Sequence, residues 1–548
     1  MMPRNILIAF CYSVSSALLL GQGQAGSFNP SKPPVDSWPT YHGDYSGRHF
    51  SNLKEINTAN VKGLSLAWIY RLNSSTQGTA AGGVVSSGAG VNSRASTIKA
   101  IPLAVNGVLY FSTPANAFAV DARTGLEIWH YTWPGRGSIG NRGMGIYGNW
   151  LYLETPDNNI VSLDAKTGKE RWHKPLAPDK ATNFSTSAPL VIRNHVIIGV
   201  GGDSGKNRTW LESRDPETGE LQWKWIVIPS KGEPGFDTWP NEEAASHGAG
   251  APWQPPTYDP DLNLLYVTTG NPAPNLNGKG REGDNLYTCS VVAMNPDTGK
   301  MAWYYQFSPH DTHDWDSTEV PVLIDGVIDG KPRKLLATSS RNGYYFLLDR
   351  TNGKSIAIKP FIETANGYEG IDSKGVLIPN KDNEPSLGGS LVSPDTDGAT
   401  NYPAPTFDPN TGLFYINATA SFSIYYLSPD KEDPTGFGRG SEYHTGLYDS
   451  QLRAVDYRTG KVKWVHPYQE IAGFWSSTYP GMLSTEGGLL FTGDPSGNFV
   501  AFDAKTGKSL WHAPLGVTVS NTPETFMMDG KQYVIVASGE NLYAFYLQ

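Results

Sequence analysis

A short tag repeated seven times, the unit of four apolar runs around it, and chain ends that complement one another predict an all-β fold. The architecture they predict is an eight-bladed β-propeller of four-stranded antiparallel blades. The tag is an Asp or Asn followed by Thr-Gly at the third and fourth positions and Trp at the eighth: Asp121 to Trp129, Asp164 to Trp172, Asp215 to Trp223, Asn295 to Trp303, Asp456 to Trp464 and Asp503 to Trp511. A seventh copy, Asp349 to Ala357, has lost the tryptophan. Self-similarity at this spacing marks a repeat architecture. The side chain of Asp or Asn folds back onto backbone N–H groups, and Gly takes the positive-φ place that closes a hairpin loop. A strand must follow, whose Trp offers a large apolar face to the neighbouring repeat.

Residues 101–131 display the whole unit. IPLAV, VLYFST, AFAVDA and LEIWHY are short apolar runs separated by turn residues, the pattern of one blade. After the last tag, TFMMD, YVIVAS and LYAFYL provide three strands and no fourth, whereas LSLAWIY, residues 64–70, is one strand without a tag. Pairing of these N- and C-terminal strands completes an eighth blade and leaves no open sheet edge.

At 548 residues the chain has length enough for several domains, but the repeats occupy nearly all of it beyond residue 60, so residues 26–548 read as a single domain. Sixty Gly, 40 Pro and 16 Trp suit a turn-rich β protein. With 43 basic and 52 acidic residues, net −9, there is no basic footprint for nucleic acid. Residues 1–25 combine Arg4, an apolar run from Ile6 to Leu20 and small residues up to Ala25, the layout of a cleaved signal peptide. The expected destination is periplasmic or secreted, with no membrane span. Cys289 is then the sole mature cysteine, and no Cys-x-x-Cys-His encodes a covalently attached haem. Two segments exceed ordinary turns, residues 73–96 and 360–400, and such loops are often functional or mobile.

The densest polar cluster is SPHDTHDWDSTE, residues 308–319. His310, His313, Asp311, Asp314, Asp316 and Glu319 suit a metal site or a general base, and equally a solvated acidic loop. The stretch APWQPPTYDPDLNLLYVTTGNPAP, residues 251–274, sets Trp253 and Asn271 18 positions apart. Here the chain resembles the quinoprotein alcohol dehydrogenases, eight-bladed propellers that use pyrroloquinoline quinone (PQQ) and usually Ca2+. The resemblance runs from about residue 38 to the C-terminus.

It implies that Trp253 is the floor for the quinone and Asn271 a metal ligand. Arg142 in NRG, Thr186 in TSAP, Arg341 in SSRNG, Asn401 in GATNYP and Trp475 in GFWSS match cofactor contacts. Asp316 matches the aspartate that removes the hydroxyl proton and also holds the metal, although its loop is two residues longer than the family's. A planar tricarboxylate calls for an aromatic face, cationic partners and a metal. Departures also stand out. Ser204 replaces a glutamate ligand, with Asp203 beside it as the substitute; Lys99 replaces a glutamate; Arg136 and Gly137 replace an adjacent-cysteine pair; and Thr318 stands where a lanthanide site would carry an acid. The implied activity is alcohol oxidation, with electrons passed to a separate soluble acceptor such as a cytochrome c. The alternative is a cofactor-depleted propeller acting as a binding or assembly scaffold; a metal-dependent hydrolase on His310, His313 and Asp316 is a third idea.

Overall fold

Each tag forms the turn its composition calls for. Asp121 Oδ1 accepts from the backbone N–H groups of Arg123 and Thr124 and from the Thr124 hydroxyl, and Gly125 closes the turn onto the Asp121 carbonyl at φ 72°. The bonds from the Thr N–H and hydroxyl recur at Asp164, Asp215, Asn295, Asp456 and Asp503. In this computed structural model the described residues are 30–72, 97–135, 141–178, 183–202, 208–247, 249–428, 440–469 and 480–548. The signal segment and residues 73–96 lie outside them. No helix among the described residues is long and apolar enough to cross a membrane.

Blade 1 is the antiparallel sheet Leu103–Val105, Val108–Thr113, Asn116–Asp121 and Glu127–Thr132, matching the four runs read from the sequence. Blades 2 to 5 repeat it, starting at Gly145–Tyr147, Leu190–Ile192, Thr257–Asp259 and Val322–Ile328. Blade 6 starts at Thr406–Asp408 and blade 7 at Leu483–Thr485. In blade 8, Leu64–Arg71 pairs antiparallel with Asn541–Leu547, Trp68 opposite Ala544 and Tyr70 opposite Leu542, so the predicted joining of the chain ends is present.

Trp68 and the tag tryptophans join one blade to the next. Indole Nε1 of Trp68, Trp129, Trp223 and Trp303 donates to the carbonyls of Ala122, Ala165, Pro296 and Arg350 in the following blade, at 2.7–3.2 Å. The ring lies so close on the tag glycine that a Cβ at Gly168 would stand 2.6 Å from Trp129. Where Ala357 has replaced the tryptophan, Tyr345 takes over: its hydroxyl donates to Tyr457 O at 2.8 Å and its ring lies against Gly460.

Residues 35–51 thread the ring along the inner strands. Their backbone exchanges hydrogen bonds with Met527, Ala104, Tyr258, Leu323, Phe407 and Ser484, which belong to blades 8, 1, 4, 5, 6 and 7. This satisfies inner-edge groups that would otherwise face an empty axis. Residues 360–400 differ from an open loop: Tyr368–Ile371 pairs with Leu377–Pro379, and Ser390–Val392 adds to Leu413–Tyr426. The cause is the length of that strand and its partner Ser441–Asp456, which outrun the blade and offer an edge to pair with.

Gly168→Ala combines a left-handed backbone, costing an L-residue roughly 1–2 kcal/mol, with overpacking worth about 1–3 kcal/mol. A denaturant titration should find a loss of about 2–5 kcal/mol; an unchanged midpoint would show that the indole does not sit on this glycine. A second expectation concerns Glu524, fully buried with neither carboxylate oxygen hydrogen-bonded. Burial holds its pKa well above the ordinary value, so the folded state retains a proton that the unfolded state releases. Its contribution is present below the unfolded pKa and lost as pH rises. Glu524→Met should therefore gain stability over wild type more at about pH 8 than at about pH 5, and an equal gain at both would refute the neutral acid.

Candidate active site

Antiparallel pairing puts the segment before a blade's first strand and the one after its second strand at the same end of the ring. Arg142, Thr186, Trp253, Asp316 and Asn401 lie before first strands of blades 2 to 6, whereas Asn271 and Arg341 follow second strands of blades 4 and 5. The fold thus gathers the predicted residues at the end opposite the Thr-Gly turns. Trp475, Asp203, Ser204, Arg136 and Gly137 lie outside the described residues.

Asp316 is buried and held three ways. Its Oδ1 accepts from Asn271 N at 2.7 Å, and its Oδ2 accepts from Trp253 Nε1 at 3.2 Å and pairs with Arg341 Nη2 at 2.9 Å. Gly270 permits the approach, since a Cβ there would stand 2.3 Å from Asp316 Oδ1. The loop that carries it includes left-handed residues at His310, φ 50°, and Asp314, φ 64°. Beneath it, Trp315 Nε1 donates to Asp395 O at 3.0 Å, and buried Arg281 donates to Asp311 O at 2.6 Å. Burial pushes the Asp311 carboxyl up to about 7.

His310 and His313 do not join Asp316. His310 Nδ1 is bound to Gly283 O, while His313 stacks on Trp315 at 4.2 Å and directs Nε2 to Asn383 O. Burial lowers the His313 pKa to about 4, so its ring is neutral. A hydrolytic triad of these three is not assembled.

Two buried guanidinium groups dominate the electrostatics. Arg142 lies over the Trp253 ring at 4.3 Å and over Tyr402 at 4.4 Å, while its N and Nη1 both donate to Thr186 O. Burial lowers its pKa below the ordinary arginine value. Arg341, 5.8 Å from the same indole, also reaches the carbonyls of Asp314 and Thr396 and Asn401 Oδ1. Burial opposes its charge too, but the carboxylates of Asp316, Asp314 and Glu319 outweigh that and raise its pKa. Nε of both arginines is buried with no acceptor. A flat indole beside two cations with unused N–H donors suits a planar polyanion.

Three neighbours were not singled out from the sequence. Tyr402 packs edge-on to Trp253 at 6.0 Å, Gln254 donates to Tyr402 O, and Tyr41 lies below it, within 3.4 Å of Gln254 Nε2. Tyr402 was signalled only by adjacency to Asn401. Lys99 Nζ stands 6.0 Å from the Tyr402 ring centre, the ring that Arg142 also approaches.

The profile of the glucose/ethanol/alcohol dehydrogenase β-propeller domain, a PQQ family, matches residues 38–147, 174–365 and 448–534. The chain is 34% identical to quinoprotein alcohol dehydrogenase PedH of Pseudomonas putida, over 98% of this chain and 92% of that protein. Its fold superposes on quinohemoprotein alcohol dehydrogenase from Comamonas testosteroni with TM-score 0.81 and 32% identity, covering 93% of this chain and 80% of that one. A europium-containing methanol dehydrogenase gives TM-score 0.82 and 27% identity over 94% and 99% of the two chains. The chain belongs to the PQQ-dependent alcohol dehydrogenase family and is an alcohol oxidoreductase of that class.

Proposed function

We propose that this protein is exported to the periplasm or beyond, oxidises a primary or secondary alcohol with PQQ and Ca2+, and passes the electrons to a separate soluble acceptor such as a cytochrome c. The observation that carries the reading is the pair of buried arginines with unpartnered Nε–H groups flanking Trp253 beside a fixed carboxylate. These residues fit a planar tricarboxylate. Arg142 holds the indole face, but a cation–π contact is worth about 0.5–2 kcal/mol. A charge-assisted bond to an entering carboxylate is a stronger hold, so it draws the guanidinium to the acid.

In this reading Trp253 is the stacking face, Arg142, Thr186, Arg341, Asn401 and Trp475 hold the quinone, and Asn271, Asp316 and Asp203 hold the metal. When bound, PQQ supplies a metal-polarised carbonyl that takes up hydride from the carbinol carbon. Asp316 accepts the hydroxyl proton. Asn271 N–H, Trp253 Nε1 and Arg341 fix its carboxylate before substrate arrives, so little reorganisation is needed within a reach of about 2.6–3.2 Å. The scaffold reading draws on Ser204 and Lys99, where an expected acid is absent, and on Arg136, where the cysteine pair is absent.

Reconstitution separates the two. Protein mixed with PQQ and Ca2+ should gain a quinone absorbance that added alcohols bleach; a protein that takes up neither is the scaffold. Asp316→Asn should lower turnover by about 10²–10⁴-fold while quinone affinity stays close to wild type, and equal loss of both would remove Asp316 from the role of base. Asp203 and Ser204 give a paired test by calorimetry. Asp203→Ala should lose Ca2+ and activity together if Asp203 replaces the missing glutamate. Tight Ca2+ binding by both wild type and Asp203→Ala would exclude it as a ligand, whereas weak wild-type binding restored by Ser204→Glu would mark a depleted site.

A further inference from the structure

We propose a second metal site, for a divalent transition cation of the zinc type, at Asp395, Glu442 and His444. Glu442 and His444 are two apart on Ser441–Asp456 and therefore share a face of the long hairpin. They stand opposite Tyr425 and Ser423 of Leu413–Tyr426. Asp395 follows Ser390–Val392 and is carried over that face by its backbone N–H, which donates to Ser421 Oγ.

One donor atom of each of the three side chains lies within 4.8 Å of the other two. His444 Nδ1 is 3.6 Å from Asp395 Oδ2, and His444 Nε2 is 3.4 Å from Glu442 Oε2. Donors around a tetrahedral zinc ion, at about 2.0–2.2 Å from the metal, stand about 3.4 Å apart. A small turn of the ring brings one imidazole nitrogen to a common centre with the two carboxylates.

The second observation is at Asp395. Its side chain is 3% exposed, and Oδ1 is buried without a hydrogen-bond partner. A carboxylate in that position requires a cation. An imidazolium at His444 does not suffice, because two carboxylates already face it and Asp397 adds a third nearby. One imidazole with two carboxylates selects a borderline ion of the zinc kind, whereas Ca2+ takes six to eight oxygens. His444, half exposed, gives the ion an entry side and a place for water.

The site braces the alcohol dehydrogenase centre from behind. Thr396 N and Oγ1 donate to Glu442, Thr396 O accepts from Arg341 Nη1 at 3.4 Å, and Asp395 O accepts from Trp315 Nε1. An ion held here fixes the segment on which the partner of Asp316 rests.

The test needs neither quinone nor turnover, so it stands whether or not the proposed alcohol oxidation does. Protein stripped by chelator is titrated with Zn2+ in excess Ca2+, which fills oxygen sites, and Co2+ serves as a visible reporter. Wild type should bind one Zn2+, and Co2+ should show the intense d–d bands of a low-coordinate site. His444→Gln, at a half-exposed position that tolerates change, should weaken Zn2+ by about 10–100-fold and abolish those bands. Asp395→Asn should do the same. Failure of the wild type to bind Zn2+, or binding unchanged in His444→Gln, overturns the proposal.

Discussion

The contact on which the structure depends is an indole lying on a glycine of the next blade. Most of these indoles are half-buried, so each contributes less than the about 3–5 kcal/mol that removing a fully buried tryptophan costs, but the contact recurs around the ring. Its geometry leaves little freedom, because the ring occupies the volume that any Cβ would need and, at Trp68, Trp129, Trp223 and Trp303, Nε1 is fixed to a carbonyl one blade on. The angle between blades is thereby set. That angle determines where the segments bearing Arg142, Trp253, Asp316 and Arg341 converge, although each comes from a different part of the chain.

At the convergence, charge is arranged against the usual preference of a protein interior. Two guanidinium groups and one carboxylate are buried within contact of a single indole. Asp316 offsets Arg341, whereas Arg142 has only π faces, carbonyls and the more distant Glu154 to balance it. Glu154 itself is held well above the ordinary carboxylic pKa by burial, so it brings little negative charge. Arg142 is thereby left without a carboxylate in contact, a place that suits an incoming anion. The backbone beyond it is tied down through Trp315 and Thr396, so the Asp316 carboxylate rests on packed structure and not on a free loop.

The fold was legible because a turn has local chemistry. Asp, Thr and Gly at fixed offsets determine a hairpin wherever they occur, and Trp at the eighth position reveals what the hairpin packs on. The closing strand pair was legible by counting, since three runs at one end lacked the fourth found at the other. Trp253, Asn271 and Asp316 were recognisable by resemblance, and their spacing agrees with the gathered cluster. Other features were not readable. Tyr345 replaces a missing tryptophan from a different strand, a substitution that no periodicity announces. The triad at Asp395, Glu442 and His444 depends on two strands outrunning their blade, which is a matter of register and not of motif. Arg142 stacking on Trp253 joins residues 111 apart in sequence, and nothing local points from one to the other.

Residues 35–51 and the pairing of Leu64–Arg71 with Asn541–Leu547 give the chain an order of assembly. Bonds such as Ile56 N to Gln532 Oε1 span 476 positions, among the longest loops this sequence can close. Closing so long a loop is entropically opposed and kinetically late. Seven blades can form as the chain emerges, but the seam waits for the final strands, and until then Leu64–Arg71 and the free edge of blade 8 remain open to pairing with other chains. Loss of the last few residues would leave every catalytic side chain present in a ring that never shuts. For this protein, the C-terminal strand is the checkpoint between an aggregation-prone arc and an enzyme.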